Sequence, residues 1–174
     1  MTTPSPHADG DPAVRAQRAS ALKERIYVAF TALAVIIALR AHDLHPSASL
    51  ALVTLGITVA ATTCAVYLAD LLSHMVIHAR LPASLEHRHL IASTIGASTV
   101  AAPALVSIAL AWVGVYDTST GLLIAMLTTV TTLVAVGLLA VRRLSVPFPQ
   151  RLAILVGESV LALVVVALGL LAHR

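Results

Sequence analysis

Residues 50–80 read LALVTLGITVAATTCAVYLADLLSHMVIHAR, and the first twenty of them carry no charge. A run of about 20 apolar residues is long enough to cross a lipid bilayer as a helix. The run ends in Asp70, His74 and His78, which are spaced four residues apart and therefore share one face of a helix. The stretch predicts a membrane helix that carries a polar face at one end.

The composition predicts that lipid is the main solvent of the chain. Hydrophobic residues make up 59% of the sequence and charged residues only 11%, whereas a soluble domain usually has about 25% charged residues. A chain with so little polar surface is expected to lie in the lipid bilayer. The basic residues form no stripe interleaved with aromatic side chains, so we do not expect a nucleic-acid partner.

The apolar runs predict an all-α bundle of five transmembrane helices. Residues 1–20 are polar and rich in proline, which is typical of a disordered tail, and residues 21–174 form the membrane domain, with its first helix starting near Ala21. The second of these helices is expected to begin with Ser47 or Ser49 as its cap and to extend as far as Arg80. The expected spans lie near residues 26–42, 49–72, 90–115, 122–141 and 151–171.

The distribution of basic residues predicts the orientation of the bundle. Nine of the eleven Lys and Arg residues fall on one side of the five expected spans and two on the other. The positive-inside rule therefore places the N-terminus in the cytoplasm and the C-terminus outside. The chain has ten arginines beside Lys23 alone, which is typical of a GC-rich bacterial genome, so we expect a multi-pass protein of the bacterial inner membrane.

The face formed by Asp70, His74 and His78 is the first candidate site. Two histidines four residues apart can reach the same metal ion, and a carboxylate one turn away can supply an oxygen ligand or orient an imidazole. Glu158, in the fifth expected span, is predicted to lie at a similar depth in the same leaflet. A carboxylate in a membrane is costly and usually has a partner, so we expect Glu158 to complete this site.

Four further side chains extend the same polar region. Tyr67 lies three residues before Asp70, on the same helix face. The segment Ser84 to His89 is expected to be a polar loop, and it contributes Glu86, His87 and His89. These residues are accessory candidates for a metal or proton site that faces the cytoplasm.

Other interpretations of these residues remain open. The twenty residues before Asp70 already suffice to cross the bilayer, so His74 and His78 can instead belong to a solvated helix end. They can also belong to a polar network that packs helices together. Glu158 can equally be protonated, or hydrogen-bonded to a neighbouring hydroxyl.

Small residues in the third expected span predict a close contact between helices. Ala92 with Gly96, and Ser93 with Ala97, are spaced four residues apart, which is typical of packed membrane helices. Pro103 should kink this helix and leave the carbonyl group of Thr99 without its usual donor.

From these features we expect a small integral membrane protein that binds or conducts a cation or a proton, with a divalent transition metal as a candidate cofactor. No catalytic residue stands out, and we do not expect an enzyme. The alternative is a non-catalytic scaffold or accessory subunit that packs through its small-residue faces. In both cases we expect a homo-oligomer or a membrane-protein partner, because five helices leave little room for a transport pathway inside a single chain.

Overall fold

The computed structural model describes residues 12–42 and 47–142, together with positions 156, 157, 160, 164 and 167. Every element that these residues form is helical. The helices are α1 (Pro12–His42), α2 (Ala48–His78), α3 (Ser84–Ser98), α4 (Ala102–Trp112) and α5 (Thr118–Arg142), and a 3₁₀ turn at Thr99–Ala101 joins α3 to α4.

Three stretches of the described chain are long and apolar enough to cross a membrane. They are Ala48–His78, Ser84–Trp112 and Thr118–Ala140. These stretches correspond to the second, third and fourth spans that the sequence predicts. Most of the fifth expected span, 151–171, lies outside the described residues, and so does Glu158.

Helix α1 forms the centre of the bundle and contacts α2, α3 and α5. Val28, Ala32, Leu33 and Ile36 are all at most 1% exposed. They recur every three or four residues and so form one apolar stripe along the helix. The first apolar segment of the sequence therefore packs one face against three other helices.

Helix α1 also begins earlier than the sequence suggests, at Pro12 instead of near Ala21. Proline is favoured at the first position of a helix because its missing N–H would have no partner there. The residues that follow are rich in alanine and arginine, which are strong helix formers. Local propensity thus continues the helix into the segment that we expected to belong to the polar tail.

Helix α2 contains 31 residues and is about 46 Å long. The Ser47 hydroxyl accepts a hydrogen bond from the Leu50 N–H at 3.5 Å, which confirms one of the two expected caps. The helix ends at Ala79, whose φ of 51° is left-handed. His74 and His78 therefore belong to the helix, as their spacing predicts.

Much of the apolar surface of α2 is exposed at the outside of the bundle. Val53, Ile57, Leu68, Leu72 and Val76 are each about half exposed or more. An apolar surface of this size is unfavourable in water. It is suited to contact with lipid chains.

The prediction of a polar loop at residues 84–89 is wrong, because α3 already begins at Ser84. The Glu86 carboxylate accepts a hydrogen bond from the Ala83 N–H at 2.7 Å. A carboxylate that binds a free N–H in this way stabilises the first turn of a helix. The accessory residues of this segment therefore have fixed positions on a helix.

Pro103 interrupts the third span as predicted, through the 3₁₀ turn that precedes it. The expectation for Thr99 needs correction, however. Its carbonyl group accepts a hydrogen bond from the Ala102 N–H. The tighter turn thus supplies a donor three residues along the chain, where Pro103 has none to offer.

Candidate functional site

A cavity of about 420 Å³ lies between the beginning of α1, the end of α2 and the beginning of α3. It brings together side chains from three helices that are distant in sequence. The residues that line it are Ser20, Glu24, Asp70, Ser73, His74, Ile77, His78, Glu86, His89, Leu90 and Ser93. A cavity at one end of an apolar bundle, in which several carboxyl and imidazole side chains converge, is the best candidate for a functional site.

Helix α2 supplies three of the candidate residues from one face. Asp70, His74 and His78 all line the cavity. The rings of His74 and His78 lie with their centroids 4.4 Å apart and their planes tilted by 46°. The spacing of four residues therefore brings these side chains together, as the sequence predicts.

Glu24 is the most deeply buried charged residue in the described part of the chain, with 1% of its surface exposed. The Ser20 hydroxyl donates a hydrogen bond to Oε1 of Glu24 at 3.2 Å, and the Ser93 hydroxyl donates one to Oε2 at 3.3 Å. Asp70 lines the same cavity as Glu24. Two carboxyl groups can form a hydrogen bond only if one of them carries a proton.

Glu86, which lines the cavity, forms an ion pair with Arg80. The Arg80 guanidinium donates two hydrogen bonds to the Glu86 carboxylate, at 2.7 and 2.8 Å. Nε2 of His74 lies 3.6 Å from Oε2 of Glu86. This His74 nitrogen is buried and has no hydrogen-bond partner among the described residues. A small movement of Glu86 would supply that partner, particularly if the His74 ring were protonated.

Tyr67 and His87 form a separate contact between α2 and α3. The Tyr67 hydroxyl is hydrogen-bonded to Nε2 of His87 at 3.0 Å, and the two rings meet edge to face. Neither residue lines the cavity. Of the four accessory candidates, the structure therefore brings Glu86 and His89 to the cavity and uses Tyr67 and His87 to join two helices.

The small residues of α3 fall into two groups. Ala97 is buried in the core and Ser93 contacts Glu24 of α1, so this pair faces the bundle. Ala92 is exposed, and a Cβ atom added at Gly96 would have no neighbour within 4 Å. The pair Ala92 and Gly96 therefore faces away from the described helices.

The sequence analysis missed Glu24, although a signal for it exists. Glu24 precedes Val28 by four residues, and Val28 begins the buried stripe of α1. When that stripe is extended backwards by one turn, it reaches Glu24 and then Ser20. Glu24 lies just before the first expected span at residue 26 and between the charged Lys23 and Arg25, so its sequence context does not predict a buried position.

The side chains that line the cavity limit which ions it can bind. Within residues 12–42 and 47–142 and the five further positions, no three His, Cys, Asp or Glu side chains are grouped so that they could hold a metal ion. The carboxyl and imidazole groups can each take up and release a proton. Glu158, the fourth residue of the expected site, lies outside the described residues.

This chain matches no protein-family model, no curated protein and no solved structure in the comparisons that we made.

Proposed function

We propose that this chain is a small integral membrane protein that binds a proton or a cation in the cavity between α1, α2 and α3. One observation carries the proposal: Glu24, Asp70, His74 and His78 line a single cavity. Buried carboxyl groups in a membrane protein are costly, and they frequently belong to pathways for protons or ions. Histidine side chains nearby add groups that titrate close to neutral pH.

We further propose five spans in a bacterial inner membrane, with the N-terminus in the cytoplasm and the C-terminus outside. In this arrangement the cavity faces the cytoplasm. The proposal is supported by the basic residues beside the cavity, because Lys23 and Arg25 of α1 and Arg80 and Arg88 near α3 all belong to the same end of the bundle. Such a concentration is typical of a cytoplasmic surface.

Binding from one side is better supported than a continuous pathway. Beyond Glu24, the next turns of α1 toward the other end of the bundle contribute Val28, Ala32 and Ile36, all of them buried and apolar. An ion in the cavity would have to pass this apolar layer to cross the membrane. Conduction would therefore require the helices to rearrange, or a homo-oligomer to supply another route.

Ion fluxes and metal content together test the proposed function. The full chain is reconstituted in liposomes that contain a dye for protons or for divalent cations, and the purified protein is analysed for bound metal by mass spectrometry. A flux or a bound metal in the wild type that is lost in Asp70→Asn and in His74→Ala would support the cavity as the binding site. Asp117→Asn is the matched control, because Asp117 is an exposed carboxylate before α5.

A wild-type protein with no flux and no bound metal would contradict conduction and metal binding alike. It would leave proton binding from one side, which an infrared titration of the carboxyl groups tests separately. If the flux or the metal persists unchanged in both cavity variants, the site lies elsewhere in the chain.

A scaffold is the second candidate function, and the outward-facing pair of small residues favours it. Ala92 is exposed and Gly96 has open space around it, which would let another membrane helix approach closely. Under this alternative, Gly96→Leu should abolish oligomers or partner binding in detergent. The cavity variant Asp70→Asn should then have no effect on association.

A further inference from the structure

We infer that Glu24 and Asp70 hold one proton between them, and that this shared proton is the ion bound in the cavity. The inference rests on the proposed function and narrows its ion from any cation to a proton. It also adds Glu24, from the first helix, to the residues that bind the ion.

The position of Glu24 makes a second negative charge beside it unfavourable. Its side chain is almost fully buried, and Asp70 lines the same cavity. Two like charges at short distance in a poorly hydrated site cannot both persist at low cost, so one carboxyl is expected to keep its proton. The shared proton then forms a hydrogen bond between the two groups.

The hydroxyl groups around Glu24 prepare the same site for proton release. The Ser20 and Ser93 hydroxyls donate to different oxygens of the Glu24 carboxyl. Hydrogen bonds donated to a carboxylate stabilise its charged form. Glu24 therefore has partners in either protonation state, which suits a group that exchanges a proton.

Charged and titratable groups from all three helices surround the pair. Helix α1 has Arg18, Lys23 and Arg25 near Glu24, all with exposed side chains. Helix α2 contributes His74 and His78, and α3 contributes Glu86 and His89.

The cavity gives this proton access from one end of the bundle. Its lining joins the pair to the side chains of His74, His78 and His89. On the opposite side, Val28 of α1 and Ala97 of α3 are buried apolar residues one turn beyond Glu24 and Ser93. The pair therefore exchanges its proton through the cavity, which Glu86 lines while it is paired with Arg80.

Infrared difference spectroscopy tests the shared proton directly. The full-length protein in detergent is titrated from about pH 4 to about pH 9, and the C=O band of protonated carboxyl groups is followed. An ordinary Asp or Glu loses its proton near pH 4, so a band that disappears well above that pH identifies a perturbed group. We expect such a band in the wild type and its loss in Glu24→Gln and in Asp70→Asn.

Asp117→Asn is the control and should keep the band, and circular dichroism checks that each variant retains its helices. If Glu24→Gln does not fold, Ser93→Ala replaces it. Loss of the Ser93 hydroxyl should move the midpoint of the titration to higher pH, because the charged carboxylate loses a donor.

The inference is overturned if the band survives in both cavity variants, if no band titrates above about pH 5, or if sodium ions shift it at constant pH. These outcomes differ from a failure of the proposed function. A flux or a bound metal that depends on Asp70, without a titrating band, would support the site and exclude the shared proton. A band without flux or metal would support one-sided proton binding.

Discussion

The Ser93 hydroxyl of α3 donates a hydrogen bond to Oε2 of Glu24 in α1, at 3.3 Å and across 69 positions of the sequence. This contact joins the beginning of the third expected span to the beginning of the first. It also fixes the orientation of the carboxyl group that faces Asp70 in the cavity. The same bond thus contributes to the packing of the bundle and to the arrangement of the site.

Removing this hydroxyl should destabilise the bundle measurably. We expect Ser93→Ala to lower the free energy of unfolding by about 1 kcal/mol, since a buried hydrogen bond is lost. Ser98→Ala is the matched control, because the Ser98 hydroxyl bonds only to the carbonyl group of Ile95 in its own helix. Equal melting temperatures for the two variants in detergent would contradict the contact between α1 and α3.

Gly121 packs closely against its neighbours, so adding a methyl group there should change stability more than adding one at Gly96. A Cβ atom added there would lie 2.7 Å from Cβ of Ala111 and 3.1 Å from the Tyr116 ring. Gly121→Ala should therefore cost about 1–3 kcal/mol by overpacking. Gly96→Ala meets no atom and should be neutral or stabilising by up to about 1 kcal/mol. Thermal unfolding that ranks the variants in the opposite order would contradict the packing of α4 on α5.

The carboxylate of Asp117 should make the stability of the bundle sensitive to acid. The Thr120 N–H and hydroxyl donate to it at 2.9 and 2.7 Å, and these bonds hold the pKa of Asp117 below its ordinary value of 3.8. A lowered pKa stabilises the folded state above about pH 5, and that contribution is lost as the pH falls through the folded-state pKa.

We therefore expect Asp117→Ala to melt at a lower temperature than the wild type at pH 7, with a difference that shrinks as the pH falls below 3.8. Asp117→Asn keeps a capping oxygen without the charge, and it should lie between the two. A difference that stays constant down to pH 3 or so would exclude the charged cap as its origin.

The bond between Tyr67 and His87 should contribute to stability and not to ion binding. Tyr67→Phe removes the hydrogen bond of 3.0 Å to Nε2 of His87 and should cost about 1 kcal/mol. Tyr27→Phe is the control, because the Tyr27 side chain is 58% exposed. A loss of ion binding in Tyr67→Phe at unchanged stability would reassign Tyr67 to the site.

Patterns within one helix could be read from the sequence. The spacing of Asp70, His74 and His78 predicted one shared face, and Pro103 predicted the break in the third span. Within the fourth expected span, the Thr129 hydroxyl donates a hydrogen bond back to its own helix, at 2.7 Å to the carbonyl oxygen of Ala125. These features depend on local geometry, which spacing determines.

Contacts between helices could not be derived in the same way. The approach of Glu24 to Asp70 depends on how α1 rotates against α2, and the apolar stripe of α1 alone does not select its neighbour. The small residue at Gly121 packs tightly, whereas Gly96 does not. Sequence spacing identifies both as small residues but does not reveal which of them faces another helix.

The most direct test of the cavity as a proton site is carbodiimide labelling, which modifies protonated carboxyl groups in apolar surroundings. The wild-type protein in detergent is treated with dicyclohexylcarbodiimide at several pH values, and mass spectrometry of its peptides locates the label among the eight Asp and Glu residues. We predict modification of Glu24 or Asp70 at neutral pH, at a rate that falls as the pH rises. Label that avoids both residues, or reacts with them independently of pH, would contradict the shared proton.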